Sequence, residues 1–444
     1  MKNTAIETFC DRGIFISLCA AVFVLPASIA YLDSFAALAI FLYLLKKINR
    51  IILDWPQRTS GLGLLGKINS IWNGFAPPAN FLGRPLQILA LAFFVSVLFS
   101  QYPALSLNAF FGKFLKYVFL YFCFIEVFRD EKRIRLFLGL FFLSAFITVL
   151  SGIVQHYTGK DFIKGHVFGT ENFVTMERVN SVFFSANGFG AYLLPVIGLI
   201  AHFLYTAVVR RRSWFLGGIL AFFLVLLLSC LCWTYSRSAW IGYLVILFVM
   251  TILDRRKIFY AGALLLVFIF IFLPSLNDVR HMHLINDNNG GVQKEEDMRS
   301  VLEQSGSGRF MYWKKAISVI RTSPIWGTGL NTYTRIIKRD ADPNTWRYAH
   351  NCYLQMAAET GLLGLACFLW LLFVLLRHSL DRCDQIKDLW PLSILQGAMA
   401  GLFGFMVQSF FDNTFYTVQL GVYMWLIFGL MVAVMRLTPA LKEI

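Results

Sequence analysis

Charge is scarce in this sequence: Asp, Glu, Lys and Arg make up 15% of its 444 residues, against about 25% in an ordinary soluble chain. Acidic residues are scarcer still, 25 against 40 basic ones, for a net charge of +15. The surplus does not point to nucleic acid, because the basic residues lie in short clusters between apolar runs rather than along one polar face. The eight cysteines form no CxxC pair and have no metal-ligand spacing, so neither a disulfide framework nor a zinc module is implied. Cys19, Cys123, Cys230, Cys232 and Cys367 fall inside apolar stretches, where Cys behaves as a small hydrophobe. Histidine is sparse at seven residues, with no HExxH and no i,i+4 pair. Asp161, Glu171 and Glu177 are the nearest approach to a carboxylate metal site, and their spacing is unspecific. There is no tandem repeat. Arg12 precedes the first apolar stretch, but no small-residue cleavage site follows, so that stretch reads as a first membrane helix.

What the chain has in excess is apolar surface: 58% hydrophobic residues, 45 of them Phe, and a mean hydropathy of +0.64. A bilayer can cover that surface and a soluble core cannot. Runs such as Phe222–Leu228 and Phe268–Phe272 belong to longer stretches of about 18–25 residues, each enough for a membrane span. Spans are expected near 13–31, 33–49, 84–100, 109–127, 135–155, 186–208, 214–234, 238–253, 257–274, 350–376, 390–410 and 415–435. The expectation is thus an all-α polytopic membrane protein of about 12 helices. With that number, the clusters Lys46–Lys47–Arg50, Arg129–Lys132–Arg133–Arg135, Arg210–Arg211–Arg212, Arg255–Arg256–Lys257 and Arg377–Arg382–Lys387 all fall on the side that holds both termini. The positive-inside rule makes that side the cytoplasm. The chain divides into 1–274 with helices one to nine, a large external loop at 275–349, and 350–444 with the last three helices.

The opposite side carries the unusual polar content, in a moderate loop near 156–185, the corner Thr234–Ser238, and the large loop. In that loop Asp278, Asp287, Glu295, Glu296 and Asp297 mix with basic residues, which long external segments tolerate. Its first half, through Gly308, is rich in Asn, Gly and Ser and reads as flexible. In its second half Phe310, Trp313, Ile317 and Ile320 recur at helical spacing, which predicts an amphipathic helix over 309–321 at the outer interface. Pro324 and the Gly327-Thr328-Gly329 turn should end it.

Several residues on this side could carry chemistry. Arg237, at the outer join of two spans, is either a snorkelling anchor or a functional cation. Arg178, just before a helix entry with Asn187 nearby, is either an interface partner of Glu177 or Glu171 or an anion-binding group. His350 stands where the large loop re-enters the membrane; it is either a packing residue or a neutral imidazole able to act as a base. Lys113 and Lys116 lie one turn apart in the outer half of the fourth span, and one of them should face the interior or water. Asn351 could orient His350 or cap the helix, and Glu359 suits a structural role.

Taken in order, Arg178 through Asn187-Gly188-Phe189-Gly190, Tyr235-Ser236-Arg237-Ser238-Ala239-Trp240, Gly308-Arg309 with Trp313, Pro324-Ile325-Trp326-Gly327-Thr328-Gly329, and His350-Asn351-Cys352-Tyr353-Leu354 with Glu359-Thr360-Gly361-Leu362-Leu363-Gly364 resemble the O-antigen ligase family of bacterial membrane glycosyltransferases. One departure is that Ala186 precedes Asn187 where the family often has Pro. The resemblance implies transfer of a glycan from undecaprenyl diphosphate to a lipid A-core sugar hydroxyl, at the periplasmic face of the inner membrane. It implies inversion, and neither a metal nor another cofactor. His350, Arg237 and Arg178 match the family's essential residues by position. Lys113, Lys116, Asn187, Arg309, Arg347 and Asn351 become candidate contacts to the diphosphate or glycan. An O-antigen polymerase or a protein O-oligosaccharyltransferase would use the same donor. A transporter or flippase is the alternative of another class, but the halves do not match and the polar residues gather at one face instead of the midplane.

Overall fold

The computed structural model describes residues 5–59, 63–167, 178–254, 257–258, 260–272, 306–339 and 348–437. Their regular structure is helical. The first helices are α1 (Ala5–Val24), α2 (Ile29–Thr59), α3 (Leu64–Phe75), α4 (Gly83–Leu98) and α5 (Pro103–Ala109). A π-helical turn, Phe110–Leu115, joins α5 to α6 (Lys116–Val127), and α7 (Glu131–Thr158) follows. Then come α8 (Ala186–Tyr205), α9 (Trp214–Trp233), α10 (Arg237–Leu253) and α11 (Tyr260–Phe272). The large loop contributes α12 (Gly306–Thr322) and α13 (Tyr333–Arg339). The chain continues with α14 (Cys352–Cys383), α15 (Leu389–Gln408) and α16 (Val418–Arg436).

Among the described residues the stretches expected to span are mainly helical, except that the first, 13–31, is broken at 25–28 where α1 gives way to α2, and the lengths refine the count. Among the described residues seven helices are long and apolar enough to cross a membrane: α2, α7, α8, α9, α14, α15 and α16. The apolar helices α4, α10 and α11 are shorter. At 1.5 Å per residue a 16-residue helix such as α4 reaches about 24 Å, roughly a turn less than a hydrocarbon core of about 30 Å. The two remaining expected spans are α1, which carries Glu7, Asp11 and Arg12, and the α5–α6 stretch interrupted by the π turn. Helix α3 and α13 were not expected, and α2 extends a further ten residues beyond the predicted end at 49.

Polar residues at the expected boundaries start several helices. Asp130, Ser185, Ser236, Asn351 and Asp388 each accept a backbone N–H in the first turn of α7, α8, α10, α14 and α15. The centre of the bundle is α8, α15 and α16, whose side chains are mostly buried on all sides. Glycine makes the α8–α15 contact possible. A Cβ on Gly198 would lie 2.6 Å from the Gly397 carbonyl oxygen, and Gly404 meets Gly242 of α10 in the same way.

The basic clusters gather at one end of the bundle. Lys46 bridges Asp11 at 2.6 Å and Glu126 at 2.7 Å, Arg50 meets Glu7, and Arg129 also meets Glu126. Arg436 donates to the carbonyls of Ile125 and Ala79, Arg135 lies over the Trp390 ring, and Arg210 pairs with Asp254. These contacts tie the start of α1, the second half of α2 and the ends of α6 and α16 into one rim. Arg255 and Arg256 lie outside the described residues. The opposite rim holds Arg178, Arg237 and His350.

Candidate functional site at the rim opposite the basic clusters

The short turn 409–417 between α15 and α16 organises this rim. Its Asp412 carboxylate stands 3.5 Å from Nδ1 of His350. His350 is half-buried and sits at φ 47°, a left-handed conformation unusual for a side chain of this size. That backbone turns the residue immediately ahead of the α14 N-cap. The imidazole ring packs beside Tyr312 of α12, with ring centroids 5.5 Å apart. Nδ1 therefore faces a carboxylate that can fix the tautomer, which leaves Nε2 as the nitrogen able to take a proton. The contact is long for a hydrogen bond; such contacts tighten when substrate arrives.

Arg309, in the first turns of α12, is placed in the fields of both Asp412 and Arg237. Burial lowers its pKa, Asp412 opposes that shift, and Arg237 adds to it. Burial also works against the charge on Asp412, but the His350 hydrogen bond and charge outweigh it, with help from Arg309, and the carboxyl stays below its usual range. One carboxylate, one imidazole and two guanidinium groups thus share a corner. Arg237 is exposed at the first residue of α10, and it follows Tyr235, which is also left-handed at φ 47°. Left-handed residues without glycine cost about 1–3 kcal/mol each and concentrate at functional sites.

Arg178 reaches the same turn from the other side. Its Nε donates to the Thr234 carbonyl at 2.9 Å and its Nη2 to Asn187 Oδ1 at 2.7 Å. The Asn187 carbonyl accepts from Gln408 Nε2 at 2.7 Å, at the end of α15 and four residues before Asp412. Arg178 is thereby stapled between the α9–α10 corner and the start of α8. Glu171 and Glu177, the alternative partners expected for it, lie outside the described residues, as does Arg347.

The other candidates separate. Asn351 is buried and its Oδ1 accepts from the amides of Tyr353 and Leu354, so the oxygen is committed to capping α14. Lys116 is ion-paired with Asp33 at 2.8 Å, away from His350. Lys113 donates to Asn331 at 3.3 Å and lines a cavity beside α14. Glu359 is buried and accepts from the amides of Asn331 and Tyr333 and from Gln355. It fastens the loop after α12 to α14. Asp161 folds its own loop, accepting from the amides of Ile163, Lys164 and His166. Among the described residues no group of three or more His, Cys, Asp and Glu is placed to hold a metal ion.

Sequence reasoning missed Asp412 and Gln408. The available signal was the run Gln408-Ser409-Phe410-Phe411-Asp412-Asn413, a polar turn between the last two apolar helices on the side where basic clusters are absent. Around it, Asn351 Nδ2, Gln408 Oε1, Asn413 Oδ1 and Trp313 Nε1 are buried with no hydrogen-bond partner among the described residues. Groups of this kind are costly unless something polar meets them.

A family model described as O-antigen ligase matches residues 222–369. Over this segment, about a third of its length, the chain is similar to the O-antigen ligase family. The matched segment holds Arg237, Arg309, His350 and Asn351, while Arg178, Asn187 and Asp412 lie outside it. The apolar helices point to a multi-pass membrane protein, and the match is to the ligase and polymerase type of membrane enzyme. A search of curated proteins finds no significant match.

Proposed function

We propose that the chain moves a glycan from undecaprenyl diphosphate to a sugar hydroxyl of the lipid A core, without a metal and with inversion at the anomeric carbon. In this reading the twelve apolar helices cross the inner membrane, the basic rim lies in the cytoplasm and the His350 rim faces the periplasm. The observation that carries it is the meeting of His350, Asp412, Arg309 and Arg237 at one corner of a chain similar to the O-antigen ligase family over residues 222–369.

The chemistry follows from those groups. His350 Nε2 removes the proton from the acceptor hydroxyl, and its oxygen attacks the anomeric carbon from the face opposite the diphosphate. The new C–O bond forms as the bond to the diphosphate oxygen breaks, and the electron pair leaves on the lipid diphosphate. Asp412 holds the imidazole and stabilises the imidazolium as it forms. The leaving group is already stable, so it needs positive charge more than an acid. Guanidinium suits this, because its planar fork binds phosphate oxygens in pairs and does not deprotonate. Arg237 is the exposed cation for that role, with Arg178 and Arg309 beside it. Helix α12 borders the site through Tyr312 and Arg309 and would limit water, which would otherwise hydrolyse the donor.

The test is transfer by purified protein in liposomes, with an undecaprenyl-diphosphate glycan and either a lipid A-core acceptor or none. Glycan on the core lipid is the expected result. Lengthening of the polyprenyl-linked glycan in both arms would make the protein a polymerase and overturn the acceptor assignment.

A further inference from the structure

Beside the rim just described, a cavity opens between α4, the π turn, α14 and α16. Its walls are apolar: Leu89, Phe93, Phe114, Phe368, Met424 and Trp425. Its charged lining residues, Lys113 and Glu359, stand together with Asn331, and Tyr117, Thr360 and Tyr416 add the remaining polar side chains. Asn331 belongs to the loop after α12, so the end it lines is on the His350 side. Along α14 the lining includes residues on both sides of the break at Gly361, from Met356 to Phe368. The first of these is less than two turns from His350. Phe415 and Tyr416 come from the same turn as Asp412. The cavity is thus a shaft with one end toward the loop after α12 and the turn that carries Asp412, and its apolar walls lie deeper in the bundle.

Its one lining cation is held there by an irregularity. Residues 110–115 form a π turn, which shifts Lys113 relative to a regular helix, and π turns concentrate at functional sites. The Lys113 ammonium contacts Asn331 Oδ1, whereas Glu359 spends its oxygens on the Asn331 and Tyr333 amides and on Gln355. An apolar shaft capped by an ammonium complements a single long hydrocarbon chain that ends in a phosphate.

We propose that this shaft holds the polyprenyl chain of the lipid diphosphate donor, with Lys113 against the phosphate joined to the chain. The inference rests on the donor assigned above and adds where its lipid lies. A bilayer phospholipid also offers chain and phosphate, but it brings two chains to a single shaft. Continuity with the His350 turn favours the one-chain donor.

Two donors carrying the same glycan separate the possibilities, one on undecaprenyl diphosphate and one on methyl diphosphate, which has no chain to enter the shaft. Met424→Trp and Leu89→Trp each fill the shaft from a different helix, so one serves if the other fails to fold. KM for the undecaprenyl donor is expected to rise about tenfold or more, with kcat held and KM for the methyl diphosphate donor little changed. An equal rise for both donors, or no rise with either well-folded variant, overturns the inference. Native mass spectrometry of the full chain with undecaprenyl phosphate and with phosphatidylglycerol gives a second readout. Loss of bound undecaprenyl phosphate in the variants supports the shaft as its site, and selective loss of phosphatidylglycerol overturns it. If the wild-type protein transfers from neither donor yet holds undecaprenyl phosphate through Met424 and Leu89, the proposed reaction falls and the lipid site stands.

Discussion

At the scale of single residues, the His350–Asp412 pair makes the sharpest demands. The depressed carboxyl of Asp412 means that it is ionised at neutral pH, and its contribution to the pair is lost only as the pH falls through that lowered value. Asp412→Asn removes the anion that favours the imidazolium. Transfer is expected to slow by about 10–100-fold, and the acidic limb of the pH–rate profile to move to lower pH. A merely structural Asp would change the rate without moving the limb, so the profile decides between the two. At Arg237 the fork matters as well as the charge. Arg237→Lys is expected to lose about tenfold or more in kcat while the protein remains inserted and folded, and Arg237→Ala to lose more. Steady-state kinetics with near wild-type activity in the Lys variant would remove the bidentate role. His350 and Arg237 could be singled out from the sequence because a polar residue at a helix entry on the external side stands out against apolar neighbours. Asp412 could not, since its partner lies some sixty residues away in sequence and only the fold brings α14 and the 409–417 turn together. Asn351 shows the converse. Its type and position fit a substrate contact or a cap equally well, and only the amides of Tyr353 and Leu354 show that its oxygen caps α14.

At the scale of elements, the joint between the large loop and α14 sets the site. The turn Gly327-Thr328-Gly329 lies directly on a break in α14 at Gly361, where φ is 71°. Thr328 and Gly329 donate to the carbonyls of Ala358 and Glu359, and Leu362 donates to that of Pro324. A Cβ on Gly361 would collide with the Ile325 carbonyl, and one on Gly327 with the Glu359 carbonyl. The joint thus needs glycine on both surfaces, and it fixes where α12, with Arg309 and Tyr312, leaves the bundle. Gly361→Ala is expected to destabilise the protein by about 2–5 kcal/mol, seen as a lower unfolding temperature in detergent. An unchanged midpoint would mean that α14 relaxes without loss. The amphipathic helix itself was legible: the spacing of Phe310, Trp313, Ile317 and Ile320 predicts 309–321, and the helix runs Gly306–Thr322. Its docking was not: Tyr312, Ala316 and Val319 are the buried residues, whereas Phe310 and Ile317 of the predicted face are exposed. The π turn at 110–115 was also beyond sequence reading, since nothing in Phe-Phe-Gly-Lys-Phe-Leu distinguishes it from a regular turn.

At the scale of the whole molecule, hydropathy located the apolar helices, because a bilayer imposes length and composition together. It was less able to count crossings. Helices α4, α10 and α11 are apolar but short, α1 carries charge, and the α5–α6 stretch is broken, so seven helices among the described residues meet both demands. The basic clusters were informative in a different way. Read as a topology signal they require one common side, and contacts such as Lys46 with Glu126 and Arg436 with Ile125 bring several of them to one rim. That leaves the opposite rim for His350, and it makes the molecule an asymmetric frame: an ion-paired end, a buried three-helix centre, and a polar corner where substrate chemistry is proposed. The most direct test of this account is the single-turnover rate of glycan transfer by reconstituted wild-type and His350→Ala protein, measured beside donor binding. The account predicts a loss of about 10²–10⁴-fold in rate with donor affinity preserved. Transfer at the wild-type rate by the His350→Ala protein would contradict it.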